Sequence, residues 1–231
     1  MKNLINDIKT GFKLVKYGIQ YKQMVFFSII FCLIGVAFII FGGPTQIMLG
    51  MVYLSFCISY FTQPFMSTSI ASVVRSSPIH RAMFINVPVT VNTISANVGY
   101  ILGVIVLLIK LYVLNGFTMH GNEQFTVSQI ALVILASGII SLGMQVYVIA
   151  CYKYFLASML VFFFAFFGSY MALNEIFRQV TEFNLNLVVA IIAGYVCIWA
   201  GSGLSYLTAK LCYRKALDPM YYKRALANGL K

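Results

Sequence analysis

Charged residues are scarce in this chain of 231 residues, at 9% of the composition, and only five residues are acidic. Soluble domains carry about 25% charged residues, so this chain has too little polar surface to remain in water. Because 61% of its residues are hydrophobic, we expect an integral membrane protein. No stretch is long enough for a soluble catalytic domain, so the energy for any work must come from another polypeptide or an ion gradient.

Several kinds of chemistry lack the residues they need. There is no G-x-x-x-x-G-K-[ST] phosphate loop, so we expect no ATP site of that kind on this chain. The five cysteines include no C-x-x-C pair, which predicts that they are reduced thiols that pack as small apolar residues. His80 and His120 fall on opposite sides of the predicted membrane and cannot share a metal. No carboxylate lies in the middle of a predicted span, which disfavours a proton relay. An enzyme is the least favoured class, since Ser202 has no histidine within a span to activate it.

Six apolar runs are present, and a bilayer is crossed by about 20 apolar residues in a helix. These runs predict an all-helical integral membrane fold with six transmembrane helices, in one domain over residues 1–231. In the second run Pro64 predicts a kink. In the third, Gly99-x-x-x-Gly103 predicts that two helices approach closely. The predicted spans are 24–41, 46–74, 94–114, 127–150, 155–173 and 187–206.

Residues 1–22 precede the first span and are amphipathic. Ile5, Ile8, Phe12, Val15 and Ile19 recur at spacings of three and four, which places them in one stripe on a helix. Lysines flank this stripe, so we expect an interfacial helix in the headgroup layer whose lysine stems reach lipid phosphates. No small-x-small pattern marks a cleaved signal peptide. The alternative is a basic leader that only fixes orientation.

Lys and Arg are distributed unevenly over the connecting segments. Residues 1–22, 75–81, 151–154 and 210–231 contain fourteen of the sixteen basic residues. Because basic segments stay in the cytoplasm, we expect a multi-pass protein of the cell membrane with both termini cytoplasmic, including a tail over 207–231. The net charge of +11 is thus a topology signal, and we expect no nucleic-acid partner.

Lys110 lies near the outer end of the third predicted span. Its position favours an ammonium group that reaches the membrane interface along its own stem. The alternative is that Lys110 is buried in the protein and has a functional role there.

The loop between the second and third spans is basic and contains no acid. Ser76 and Ser77 can cap a helix whose first turn holds Pro78, a residue favoured there. An apolar face formed by Ile79, Met83 and Phe84 would then fit a groove on a partner protein. A plain turn between two spans is the alternative. The residues predicted to couple this loop to the partner are Arg75, Ser77, Pro78, Ile79, His80, Arg81 and Met83.

This arrangement resembles the membrane subunit of ABC-2-type ATP-binding-cassette transporters. The resemblance consists of an amphipathic N-terminal helix, six spans with both ends inside, and a basic second connecting loop. Ser76-Ser77-Pro78-Ile79-His80-Arg81 is similar to the family's frequent S-x-P-[IV]-[ST]-R turn, which enters a short coupling helix that docks on the ATPase. His80 departs from the usual Ser or Thr. Residues 174–186 resemble an extracellular helical element before the last span.

The resemblance implies a permease subunit that is not itself an enzyme. ATP and Mg would be bound by a separate ATPase chain, and a second copy or a related permease would complete the transporter. The 20 Phe and 15 Tyr residues fit export of a lipophilic or amphipathic substrate such as a peptide, drug or lipid. The alternative from another class is a membrane structural, assembly or small-molecule-binding protein that has no ATPase partner.

Overall fold

The fold is helical throughout the part of the chain that the structure describes. The computed structural model describes residues 2–16, 21–70, 76–114, 127–151, 153–154, 156–161, 163–164, 167–168, 171 and 185–214, and no strand occurs among them. The helical fold class predicted from the apolar runs is therefore confirmed over these residues.

Six helices and one π-helical turn account for the long continuous segments, and the described residues between 156 and 171 are helical as well. Five of the helices, all except α1, are long and apolar enough to cross a membrane, and the π-helical turn is continuous with α4. The chain therefore has the helices of a multi-pass membrane protein. The elements are α1 (Lys2–Val15), α2 (Tyr21–Phe41), α3 (Pro44–Ile70), the π-helical turn (Ala82–Asn86), α4 (Val87–Tyr112), α5 (Val127–Ala150) and α6 (Leu187–Cys212).

Helix α4 begins before the third predicted span, 94–114. Residues 84–97 are only mildly apolar, yet several of their polar side chains bond to carbonyls of the preceding turn. Thr90 Oγ1 donates to the Asn86 carbonyl at 2.7 Å, and Thr93 Oγ1 donates to the Val89 carbonyl at 2.9 Å. Because these groups are satisfied within the helix, low hydropathy does not end it.

Helix α6 also exceeds its predicted range, 187–206, and continues to Cys212. Ala209 and Cys212 are buried, so the first residues of the predicted tail belong to the helical bundle. Residues 215–231 lie outside the described part of the chain. So do Arg75, His120 and nearly all of residues 174–186. In the predicted fifth span (155–173) the structure describes residues 156–161, 163–164, 167–168 and 171, all of them helical, and the number of spans remains a prediction.

Helices α3, α4 and α5 form the centre of the bundle, with α2 packed on α3 and α6 packed on α5 and α4. Glycines set the closest approaches. A Cβ on Gly103 would lie 2.7 Å from the Met51 sulfur on α3, which confirms the close packing predicted from Gly99-x-x-x-Gly103. A Cβ on Gly138 would lie 2.5 Å from the Gly194 Cα, so α5 and α6 touch through backbone.

Lys110 is fully buried, and the expectation that it reaches the membrane interface is wrong. Its ammonium group donates hydrogen bonds to the backbone carbonyls of Ile39 and Ile40 in the last turn of α2, and to that of Gly42 directly after it. These oxygens have no partner inside α2, because the last four carbonyls of a helix lack one. They lie within hydrogen-bonding distance of the ammonium group and carry the negative end of the helix dipole.

Helix α1 packs across the ends of α3 and α4. The Phe12 ring meets the Phe65 ring edge-on at 4.9 Å between centroids, and Val15 is fully buried. A Cβ on Gly11 would lie 2.7 Å from Val87 Cγ1. Ile5 remains half exposed, so one part of the apolar stripe holds the bundle and another part faces outward.

Candidate functional site

Residues 76–81, here called the docking turn, form a tight turn that leads into helix. The His80 backbone N–H donates to the Ser77 carbonyl at 3.1 Å, and the Met83 N–H donates to the Ile79 carbonyl at 2.9 Å. Three side chains are exposed, whereas Ser77, Ile79 and His80 are half-buried. The exposed side chains, Ser76, Pro78 and Arg81, form a crest that a partner can reach.

Met83 and Phe84 do not belong to this exposed crest. They are 1% and 3% exposed, so the predicted apolar face toward a partner groove is wrong for both residues. Met83 packs in a cluster with Val15 of α1, Phe65 of α3 and Val87 of α4, and Ile79 packs partly against it. The cause is the helical register, which turns these side chains toward the bundle as soon as the helix begins.

The docking turn continues directly into α4 without a separate short helix. The π-helical turn lies between them, and the Val87 N–H donates to the Ala82 carbonyl five residues earlier. Pro88 follows at the start of α4. Since proline has no N–H to donate to the turn before it, a local π-type register keeps the helix continuous.

Two other segments contact the docking turn or the π-helical turn directly after it in an aromatic clasp, defined as His80, Phe84, Lys153 and Tyr213. The Tyr213 hydroxyl lies 3.3 Å from His80 Nδ1, and its ring centroid lies 5.4 Å from that of His80. The Phe84 and Tyr213 centroids are 5.9 Å apart, and Lys153 Nζ lies 4.7 Å from the Phe84 centroid. Sequence reasoning missed this clasp, because Lys153 and Tyr213 appeared only as parts of basic segments.

The structure brings the predicted cytoplasmic segments together at one end of the bundle, here called the docking end. Helix α1, the docking turn, Lys153 and the end of α6 all meet there. The Lys and Arg residues described at this end, Lys153 apart, are exposed: Lys9, Lys13, Lys16, Lys22, Arg81, Lys210 and Arg214. The opposite end, where Lys110 contacts α2, is here called the far end. Which end faces the cytoplasm remains a prediction.

The bundle interior contains uncharged polar groups that connect its helices. Asn92 Nδ2 donates to the backbone carbonyl of Gln145 at 2.9 Å. The side-chain amide of Gln145 donates through Nε2 to the Ile198 backbone carbonyl at 3.1 Å and accepts through Oε1 from Ser202 Oγ at 2.9 Å. Toward the middle of the bundle, the Ser55 and Ser141 hydroxyls lie 3.1 Å apart. These groups can hold helices together or meet a polar part of a substrate.

A narrow cleft lies beside the two serines, between α3, α4 and α5. It has no space for a water-sized sphere, so this part of the bundle interior is closed in this conformation. The residues that line it are Met51, Leu54, Ser55, Gly99, Tyr100, Ser137 and Ser141.

The described segments give little support for a metal site or for a nucleophilic cysteine. Within them, no three His, Cys, Asp or Glu side chains are grouped closely enough to hold a metal ion. Cys151 is buried beside the clasp, and this burial raises the pKa of its thiol to about 12. A thiol with so high a pKa stays protonated at neutral pH and is a poor nucleophile.

Comparisons of the chain with models of known protein families, with curated proteins and with solved structures gave no match. The resemblance to ABC-2 permeases therefore rests on the residues and on the architecture.

Proposed function

We propose that this chain is the permease subunit of an ABC-2-type ATP-driven transporter, with the docking turn as the contact for a separate ATPase chain. The observation that carries the proposal is an exposed crest on a buried apolar base. Arg81 and Pro78 are accessible, whereas Met83 directly below them packs against α1, α3 and α4. A force on the crest would therefore reach several membrane helices at once.

The proposed cycle begins when ATP and Mg bind to two ATPase chains and close them. The closing ATPases would displace the docking turn, and the continuous helix from His80 into α4 would carry that displacement into the membrane. The bundle would then switch between inward- and outward-facing states. The substrate path would run between two permease chains in the cell membrane, and the second chain would be another copy or a related subunit.

The substrate class is proposed from the chemistry of the interior. The buried polar side chains of the described segments are mainly amides and hydroxyls, and the one buried cation, Lys110, bonds to α2. Such an interior suits export of a lipophilic or amphipathic molecule, such as a peptide, drug or lipid, rather than a small ion.

Co-expression with an ABC-type ATPase from the same organism tests the proposal, and an ATPase reading frame beside this gene would be the first choice. We expect the two chains to co-purify from membranes in detergent and to hydrolyse ATP. Arg81→Glu should abolish co-purification, because it reverses the charge on the crest without touching the base. Lys22→Glu is the matched control, since Lys22 is another exposed basic residue of the docking end outside the turn.

Equal loss of the ATPase in both variants would indicate a general charge effect and would contradict the role of the turn. If the wild-type chain purified without any ATPase, the permease proposal itself would fail. The alternative of a membrane structural or assembly protein would then be favoured.

A further inference from the structure

Two residues of the aromatic clasp, Tyr213 and Lys153, lie outside the docking turn and outside the motif that pointed to it. We propose that they are positioning residues that fix the docking turn against the ends of α6 and α5. A displacement of the turn then moves three helices, α4, α5 and α6, instead of α4 alone. This inference rests on the proposed function, but its first test requires no ATPase.

Tyr213 provides the contact to α6, which ends at Cys212. One side chain makes a ring contact with His80, a ring contact with Phe84 and a polar contact with His80 Nδ1. It also packs on the buried cluster that contains Met66 and Ala209. Aromatic pairs contribute beyond their buried area, so Tyr213 holds the turn in one position more firmly than an aliphatic residue would.

Lys153 provides the contact to α5. Its backbone N–H donates to the Ala150 carbonyl at 3.0 Å, which fixes it directly after the last residue of that helix. Its ammonium lies over the Phe84 ring at 4.7 Å, within the range of a cation–π interaction. Phe84 is thus in contact with the end of α5 through Lys153 and with the end of α6 through Tyr213.

The clasp also gives a reason for the histidine in the docking turn. The similar turn of ABC-2 permeases has Ser or Thr at the position of His80. An imidazole offers a ring face and a nitrogen to Tyr213, whereas a short hydroxyl side chain offers no ring. We infer that His80 serves the clasp and that this turn is held from the α6 side.

Spin labelling of the full chain in lipid nanodiscs tests the positioning role. The label is attached to Ser76→Cys on the exposed crest, in a chain whose half-buried cysteines (Cys32, Cys57 and Cys197) are alanine; Cys151 and Cys212 are buried. Tyr213→Ala should raise the mobile fraction of the spectrum roughly five-fold, the change expected when the ring pair with His80, which holds the turn directly, is lost. Lys153→Met should raise it about two-fold.

Two controls separate positioning from general unfolding. Tyr213→Phe retains the ring contacts and should leave the spectrum close to wild type. A label on Val113→Cys, at the far end, should not respond to any of these variants. An unchanged Ser76 label in Tyr213→Ala would overturn the inference, and so would an equal response of both labels.

The transmitting role is tested with the co-purified ATPase. In the wild-type complex we expect ATP to change the spectrum of the Val113 label, and in Tyr213→Ala we expect this change to be lost while the ATPase stays bound. A full ATP response in Tyr213→Ala would overturn transmission through the clasp. Absence of any bound ATPase would instead contradict the proposed function, and the Ser76 comparison would still decide the positioning role.

Discussion

The Lys110 ammonium lies 2.6 Å from the Gly42 carbonyl oxygen, in the turn that follows α2. It also donates to the carbonyls of Ile39 at 2.9 Å and Ile40 at 3.2 Å. One side chain of α4 thus bonds to three carbonyls at the end of α2 and in the turn after it. This gives Lys110 a structural role in the contact between α2 and α4.

Lys110→Met should therefore destabilise the protein by about 2–3 kcal/mol, the cost of losing a charged donor to buried carbonyls. The free energy of unfolding, measured by SDS titration of the protein in micelles, checks this value. Lys210→Met removes an exposed lysine from α6 and should stay within about 0.5 kcal/mol of wild type. A Lys110→Met variant as stable as this control would show that the α2 end needs no such donor.

Gly138 and Gly143 on α5 form a matched pair with opposite expectations. A Cβ on Gly138 would lie 2.5 Å from Gly194 Cα and 2.7 Å from the Gly194 oxygen, whereas nothing lies within 4 Å of one on Gly143. Because backbone cannot move aside as a side chain does, Gly138→Ala should cost about 1–3 kcal/mol. Gly143→Ala should be neutral or stabilising by up to about 1 kcal/mol, since alanine favours helix. Equal stabilities by SDS titration would rule out this close approach.

The buried amide of Gln145 should be energetically coupled to Ser202. A double-mutant cycle with Gln145→Leu and Ser202→Ala isolates the hydrogen bond between them, and we expect a coupling of about 0.6–1.7 kcal/mol, the range for such bonds between membrane helices. Thr208 provides the control, because its hydroxyl bonds to the Leu204 carbonyl of its own helix. A cycle of Gln145→Leu with Thr208→Ala should give a coupling near zero. Similar couplings in both cycles would contradict a specific bond.

The helices themselves could be predicted from the sequence because hydropathy reports them directly. The predicted range 127–150 is that of α5, and the predicted basic segments meet at one end of the bundle. Both features depend on whether each residue prefers lipid or water, and the sequence shows that preference residue by residue.

Features that depend on a particular neighbour could not be predicted in the same way. Hydropathy cannot show that the nearest acceptors for Lys110 are carbonyls of α2, some 70 residues earlier in the chain. Met83 is apolar whether it faces a partner or α1, and only the helical register decides between them. The contact between His80 and Tyr213 joins residues 133 positions apart, so a local sequence pattern cannot predict it.

The number of spans can be tested from the directions of α5 and α6. Helix α5 ends at the docking end, where Lys153 contacts Phe84. Helix α6 also ends there, where Tyr213 contacts His80. Its first residue, Leu187, is a helix length away from that end and packs on the central core cluster, as does Leu111 next to Lys110. The chain between Lys153 and Leu187 must therefore return from one end of the bundle to the other. This favours a further crossing within residues 155–173.

Labelling of single cysteines with a membrane-impermeant maleimide checks this crossing and the orientation together. With six spans and a cytoplasmic docking end, Val113→Cys should react in intact cells, whereas Ser76→Cys and Arg214→Cys should react only after the membrane is opened. All three positions are exposed in the structure. A sixth crossing puts an odd number of spans between Val113 and Arg214, so these two sites must differ. If they reacted alike, the segment after α5 would not cross, and if all three patterns were inverted, the basic end would face outward.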